Sequence, residues 1–197
     1  MITKIKTNQL NYLTKDVDLN YPNQIKQYNI IIAPNGYGKT QLIKAIRSKL
    51  FEKTKRKDVE LDFSEEFKKD PKGVYFTINE ELDKRAIGSS INTNDSKSFL
   101  NKTMEYMHRS ELSNGQEQKR TIDMFLKQLI LPETIWFLDE PEKSLDIVQL
   151  DLMIKKILSL NIQVFIVTHS PILINNENFN KIILDEEYFK KVENILK

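Results

Sequence analysis

Ile30-Ile31-Ile32-Ala33-Pro34-Asn35-Gly36-Tyr37-Gly38-Lys39-Thr40-Gln41-Leu42-Ile43 is the stretch on which the fold turns. The β-branched triplet has the composition of a buried strand, and Ala33 to Gly36 is a turn cluster. From Lys39 onward Leu42, Ile43, Ala45, Ile46 and Leu50 recur at spacings of three and four, the period of a helix with one apolar face. The alternation continues downstream. Val74-Tyr75-Phe76-Thr77-Ile78, Thr134-Ile135-Trp136-Phe137-Leu138, Val164-Phe165-Ile166-Val167 and Ile182-Ile183-Leu184 read as strands. Leu145 to Leu160 and Tyr188 to Leu196 read as helices, and Phe99 to about Leu131 reads as mostly helical with a break near Ser113-Asn114-Gly115. Apolar strands alternating with helices predict an α/β fold: a mainly parallel sheet flanked by helices.

The chain has 197 residues, which favours one domain spanning residues 1 to 197. Apolar residues at 40% are too many for a disordered chain, and Lys+Arg 30 against Asp+Glu 28 gives no global pull toward nucleic acid. The absence of cysteine excludes disulfides and thiolate-bound metals, and two histidines are too few for a His-rich metal site. No apolar run approaches the ~18 residues of a membrane span, and Met1 to Ile5 begins no signal peptide. A cytoplasmic protein without a transmembrane segment is the expectation.

Residues 33 to 40 match the phosphate-loop pattern G-x-x-x-x-G-K-[ST], with Ala33 at the first glycine position. Gly36 and Gly38 let the backbone curl so that its N–H groups point inward and cradle phosphate. The helix that follows adds its N-terminal dipole. Lys39 can reach the β- and γ-phosphates, and the Thr40 hydroxyl can ligate Mg²⁺. Asn35, Tyr37 and Gln41 complete the candidate nucleotide-binding set. The expected fold is therefore that of a P-loop NTPase, and the expected cofactors are ATP and Mg²⁺.

Two further strands end in chemistry. The run Ile135 to Leu138 leads straight into Asp139 and Glu140, and Val167 leads into Thr168-His169-Ser170. A parallel sheet delivers such strand ends to the edge where ligands bind. Asp139 would hold Mg²⁺ with Thr40, Glu140 would polarise the attacking water, and His169 is a candidate γ-phosphate contact.

Leu112-Ser113-Asn114-Gly115-Gln116 resembles the LSGGQ signature of ATP-binding-cassette (ABC) ATPases, with Asn114 in place of the first signature glycine. The other motifs fall in the family's order. Ala33 to Thr40 resembles Walker A, Ile135 to Glu140 Walker B with its catalytic Glu, Ser144-Leu145-Asp146 the D-loop, and His169 the switch histidine. The resemblance implies a head-to-tail homodimer or pseudo-symmetric ATPase pair, in which Ser113, Asn114, Gly115 and Gln116 close on the neighbour's nucleotide. It also implies a helical lobe carrying the signature, here at about residues 80 to 130 and reduced, because the stretch from Lys39 to Leu112 is short for a transporter subunit. The family's Q-loop glutamine is missing: no Gln occurs from Leu42 to Gly115. Asn79 or Glu80 stands near its place.

Asp139-Glu140-Pro141-Glu142, Thr168-His169-Ser170-Pro171 and the opening Met1 to Lys6 resemble the soluble, non-transporter branches of the superfamily: recombination, overcoming-lysogenization-defect and anti-phage ATPases. No heptad insertion supports a coiled-coil arm. The function implied is MgATP hydrolysis that drives an effector protein subunit, with nucleic acid as a candidate partner. The alternatives are a transporter ATPase subunit and an ATP-dependent assembly switch with little hydrolysis. Lys53, Lys55, Arg56 and Lys57 could contact a phosphate backbone, or be the solvated face of a charged helix. Tyr12 could stack on adenine or lie in the core.

Overall fold

The computed structural model describes residues 1–51, 56–65, 67, 72–77, 134–143 and 145–196. The helical lobe expected at 80–130, the signature residues Ser113 to Gln116, Asn79, Glu80, Lys53, Lys55 and Ser144 lie outside the described residues.

Among the described residues five strands form the parallel sheet. Labelled in chain order, the strands are β1 (Ile2–Thr7), β2 (Asp18–Asn20), β3 (Tyr28–Ile32), β4 (Val59–Phe63), β5 (Lys72–Thr77), β6 (Thr134–Asp139), β7 (Gln163–Val167) and β8 (Asn180–Ile183). The parallel sheet has the order β5-β6-β7-β3-β8, and all its pairings are parallel. β3, β6 and β7 are apolar on both faces because both faces are covered. Alternate residues of each strand go to opposite layers. Ile31, Ile135, Phe137, Phe165 and Val167 pack with Leu42, Ile43 and Ile46 of helix α1 (Lys39–Phe51). Phe137 and Phe165 stack with centroids 5.6 Å apart. On the other face Ile30, Ile32, Trp136, Leu138, Val164 and Ile166 meet Leu150, Met153, Ile154 and Ile157 of α2 (Ile147–Leu158). The short α3 (Pro171–Ile174) and α4 (Glu186–Leu196) complete that layer through Leu173, Ile174 and Phe189.

The second sheet, β2-β1-β4, is antiparallel. It covers the α1 side, burying Ile2, Ile5, Leu19 and Val59 in the same cluster as α1. Gln163 fixes it to the main sheet: its Oε1 accepts from the Ile2 N–H at 2.7 Å, and its Nε2 donates to the Ile2 carbonyl at 3.0 Å. Here the structure corrects the sequence reading. The charged stretch around Glu60 is not a helix face; Val59–Phe63 is a strand, its charges displayed outward beside a buried Val59. Arg56 forms a two-point ion pair with Asp58 through Nε at 2.9 Å and one terminal nitrogen at 2.6 Å, so its guanidinium is engaged locally.

Register lines up the strand ends. Asp139 is opposite Val167, Val167 opposite Ile31, and Ile31 opposite Ile182. The segments after β3, β6 and β7 therefore leave the sheet along one edge.

Candidate active site

The loop after β3 is built by two glycines with positive φ, +76° at Gly36 and +99° at Gly38. Gly36 has open space where a Cβ would stand, so its need is conformational. Gly38 is also tightly packed: a Cβ there would run into the Tyr12 carbonyl oxygen and lie 2.8 Å from the Leu13 Cα. Ala33, the departure from the pattern, is fully buried and is not among the positive-φ positions. Its methyl group fits without strain, which is why alanine can replace glycine there.

Lys39 is only 6% exposed. Its Nζ donates to the Ala33 carbonyl at 2.8 Å and the Pro34 carbonyl at 2.9 Å. Burial pushes its pKa down, while the charges of Glu140 and Asp139 pull it back up. The Thr40 hydroxyl lies 3.2 Å from Asp139 Oδ1. This pairs two hard oxygen donors from separate elements, a set that suits Mg²⁺, which keeps most of its ligands as water and substrate phosphate. Tyr37 turns its ring into the protein and donates its hydroxyl to the Leu184 carbonyl at 2.7 Å. Toward a nucleotide this residue has only its main chain to offer. Asn35 and Gln41 are exposed at the rim.

Glu140 has φ +48°, in the left-handed region that disfavours residues with a side chain. Its N–H donates to the Val167 carbonyl at 2.8 Å, which holds the bend against β7. Its carboxylate pairs with Lys143 and faces His169 Nε2 at 4.0 Å. Strained backbone of this kind collects at active sites. The His169 ring is half-buried. Desolvation and the Lys39 charge hold its pKa below the ordinary histidine value, against the pull of Glu140 and Glu142. Nε2 is buried without a hydrogen-bond partner, and Nδ1 meets the Tyr188 hydroxyl at 3.3 Å.

Glu142 joins the two acid and histidine segments. One carboxylate oxygen accepts from the Thr168 hydroxyl and, at 3.1 Å, from the His169 N–H. The Thr168 hydroxyl oxygen accepts in turn from the Ser170 N–H at 2.9 Å. Through this oxygen Glu142 holds the His169 loop, while its other carboxylate oxygen is buried without a hydrogen-bond partner. Sequence reasoning missed this function; the only trace was that Glu142 and Thr168 belong to two motifs that resemble the same branch. Asp146 caps α2, accepting from the Val148 and Gln149 N–H groups at 2.9 Å each. Tyr12 is 82% exposed, which excludes the core reading. It sits on a loop shaped by Asp16, whose carboxylate accepts from the Gln9 N–H at 2.7 Å and the Thr7 hydroxyl at 2.8 Å. These bonds, the Gln9 one first, hold the Asp16 pKa below its usual value.

The structure thus brings Lys39, Thr40, Asp139, Glu140 and His169 to one edge. This is the architecture of P-loop NTPases. Among solved structures the chain is similar to the dimeric structure of MJ0796, a bacterial ABC transporter cassette, at 21% identity over 93% of this chain and 94% of that one, with a TM-score of 0.52. It is also similar to a post-hydrolysis state of the cassette MJ0796 bound to ADP and Pi, at 20% identity over 86% and 88%, with a TM-score of 0.45. No protein-family model and no curated protein matches the sequence. The fold is that of an ABC cassette. No helix among the described residues is long and apolar enough to cross a membrane.

Proposed function

We propose that this chain is an ABC-type ATPase that binds MgATP at the Ala33–Thr40 loop and hydrolyses it to ADP and phosphate as one member of a head-to-tail pair. The observation that carries the reading is the approach of Thr40 to Asp139 at 3.2 Å beside a buried Lys39. The first turn of α1 and the end of β6, far apart in sequence, supply a cation-binding pair next to a phosphate-facing ammonium.

In this reading the loop N–H groups and the start of α1 hold the phosphates, and Lys39 exchanges its Ala33 and Pro34 carbonyls for phosphate oxygens. Tyr12, exposed and joined to the loop through Gly38, stacks on the base. Mg²⁺, held by Thr40 and Asp139, would neutralise charge on the β- and γ-phosphate oxygens. Glu140 accepts the proton of the attacking water, and His169 contacts the γ-phosphate. Ser113 to Gln116 act on the partner's nucleotide. The exposed apolar side chains Ile147, Val148 and Leu152, next to Asp146, supply a face suited to the pairing.

Glu140→Gln tests this. The amide keeps the shape but is a poor proton acceptor, so turnover falls about a hundredfold or more while ATP binding persists. Size-exclusion chromatography with ATP then shows a dimer. Wild-type turnover in this variant would sink the assignment.

For the biological role, the Glu142–Thr168 link ties together two motifs that resemble the soluble branch, and supports an ATPase that drives an effector subunit of a nucleic-acid-directed or anti-phage assembly. The similarity to a transporter cassette favours a second reading, an ATPase subunit of a membrane transporter. Native pull-down separates them: an effector or nucleic acid supports the first, a multi-span membrane protein the second.

A further inference from the structure

We propose that Tyr188 is a positioning residue that fixes the tautomer of His169, leaving Nε2 as the N–H donor; this rests on the reading of His169 as the γ-phosphate contact. Two independent groups face the ring. At Nδ1 stands the Tyr188 hydroxyl, 3.3 Å away. At Nε2 stands the Glu140 carboxylate, 4.0 Å away, with no hydrogen-bond partner for the buried nitrogen itself.

A neutral imidazole carries one proton, and its neighbours decide where. With the proton on Nδ1, Nε2 would turn a bare lone pair toward a carboxylate in a buried setting, and both are acceptors. With the proton on Nε2, the N–H dipole points at the carboxylate, and the Tyr188 phenol donates to Nδ1. Both contacts favour the second arrangement. The depressed pKa of the ring agrees with a neutral imidazole, the state in which the choice of tautomer matters. An acceptor oxygen brought between Nε2 and Glu140 then meets a donor already turned to it, at no cost of reorganisation.

Tyr188 is itself well placed to hold. Its N–H donates to Asp185 Oδ1 at 2.9 Å in the first turn of α4. One step earlier, the Leu184 N–H donates to the Ile32 carbonyl at 3.0 Å, and the Leu184 carbonyl accepts the Tyr37 hydroxyl. The corner between β8 and α4 thus grips the phosphate loop and the histidine together.

The test is Tyr188→Phe, which removes one oxygen from a half-buried ring. Protein labelled with ¹⁵N-histidine has only two such residues, His108 and His169, and a His169→Gln sample assigns the signals. In the wild type, His169 shows a protonated Nε2 and a bare Nδ1. In Tyr188→Phe the signals move toward a mixture, kcat falls about threefold to tenfold, and KM for ATP and the thermal midpoint stay unchanged. In a His169→Ala background the same substitution changes nothing further, because Tyr188 acts only through the ring. An unchanged tautomer in Tyr188→Phe, or an equal fall in kcat with His169 already removed, overturns the proposal. If His169→Ala alone turns over ATP at the wild-type rate, the γ-phosphate reading of His169 fails instead, and the ¹⁵N spectra still decide what Tyr188 does to the ring.

Discussion

Between Ala33 and Thr40 the surface we propose to face phosphate is mostly main chain, shaped by two positive-φ glycines, and Lys39 is the charged side chain in it. Across the sheet edge the construction is reversed. Asp139, Glu140 and His169 present side chains, and other side chains hold them: Thr40 faces Asp139, Lys143 pairs with Glu140, and Glu142 and Tyr188 hold the His169 segment. A main-chain cradle depends on conformation and tolerates changes of side chain where φ is ordinary. A side-chain cradle depends on the identity of each group and of the group behind it.

Lys39→Ala attacks the exception in the main-chain half. Removing a buried ammonium from beside two acids leaves the phosphate charge uncompensated, so ATP turnover falls about a thousandfold or more. Filter binding and phosphate release measure it; near-normal values would mean that the loop holds phosphate without Lys39.

Gly38→Ala should come next. The added methyl group meets the Tyr12 carbonyl at a φ of +99°, and both backbone segments must shift. We expect a loss of about 2 kcal/mol or more in denaturant unfolding, together with weakened ATP binding. Stability within error of the wild type would show that the loop carrying Tyr12 yields freely.

A pH series probes the other half. The folded-state pKa of His169 is lowered, so below the ordinary value near 6.5 the unfolded chain takes up a proton that the folded one refuses. Its contribution to stability is therefore present above about pH 6.5 and is lost as pH falls toward the depressed folded-state value. The thermal midpoint of the wild type should drop more from pH 7.5 to 5.5 than that of His169→Gln; equal drops would mean that the ring titrates normally.

Ala33→Gly is the smallest change. It restores the usual residue but removes a buried methyl group and adds backbone freedom, for a loss of about 1 kcal/mol with unchanged turnover. Faster hydrolysis in this variant would show that Ala33 restrains the loop.

These contrasts explain what could be read from the sequence. The phosphate loop was legible because glycine turns and helical periodicity are local, and the Asp139–Glu140 end was legible because a buried strand announces its own exit. Val59–Phe63 was missed although Val59, Leu61 and Phe63 alternate with Glu60 and Asp62: the run is only five residues long inside a densely charged stretch, and its pairing partner β1 lies far away in sequence. Tyr188 and Glu142 were equally hidden. Their parts rest on a phenol meeting an imidazole 19 residues away and a carboxylate meeting an N–H 27 residues away, and no residue pattern encodes either. Ala33 was readable only as a departure; that φ is ordinary there had to be seen.

The Tyr37 hydroxyl finds the Leu184 carbonyl across 147 residues of chain, and that distance is also an interval of time. At synthesis rates of about 5 to 20 residues per second, the phosphate loop leaves the ribosome roughly 7 to 30 seconds before its anchor. For most of that interval, until Gln163–Val167 is made, β3 lacks both of its sheet neighbours, β7 and β8, and the β-branched run Ile30-Ile31-Ile32 has no paired strand to cover it. The nascent chain thus carries this apolar run unpaired early and pins the loop after β3 only once Leu184 has been made.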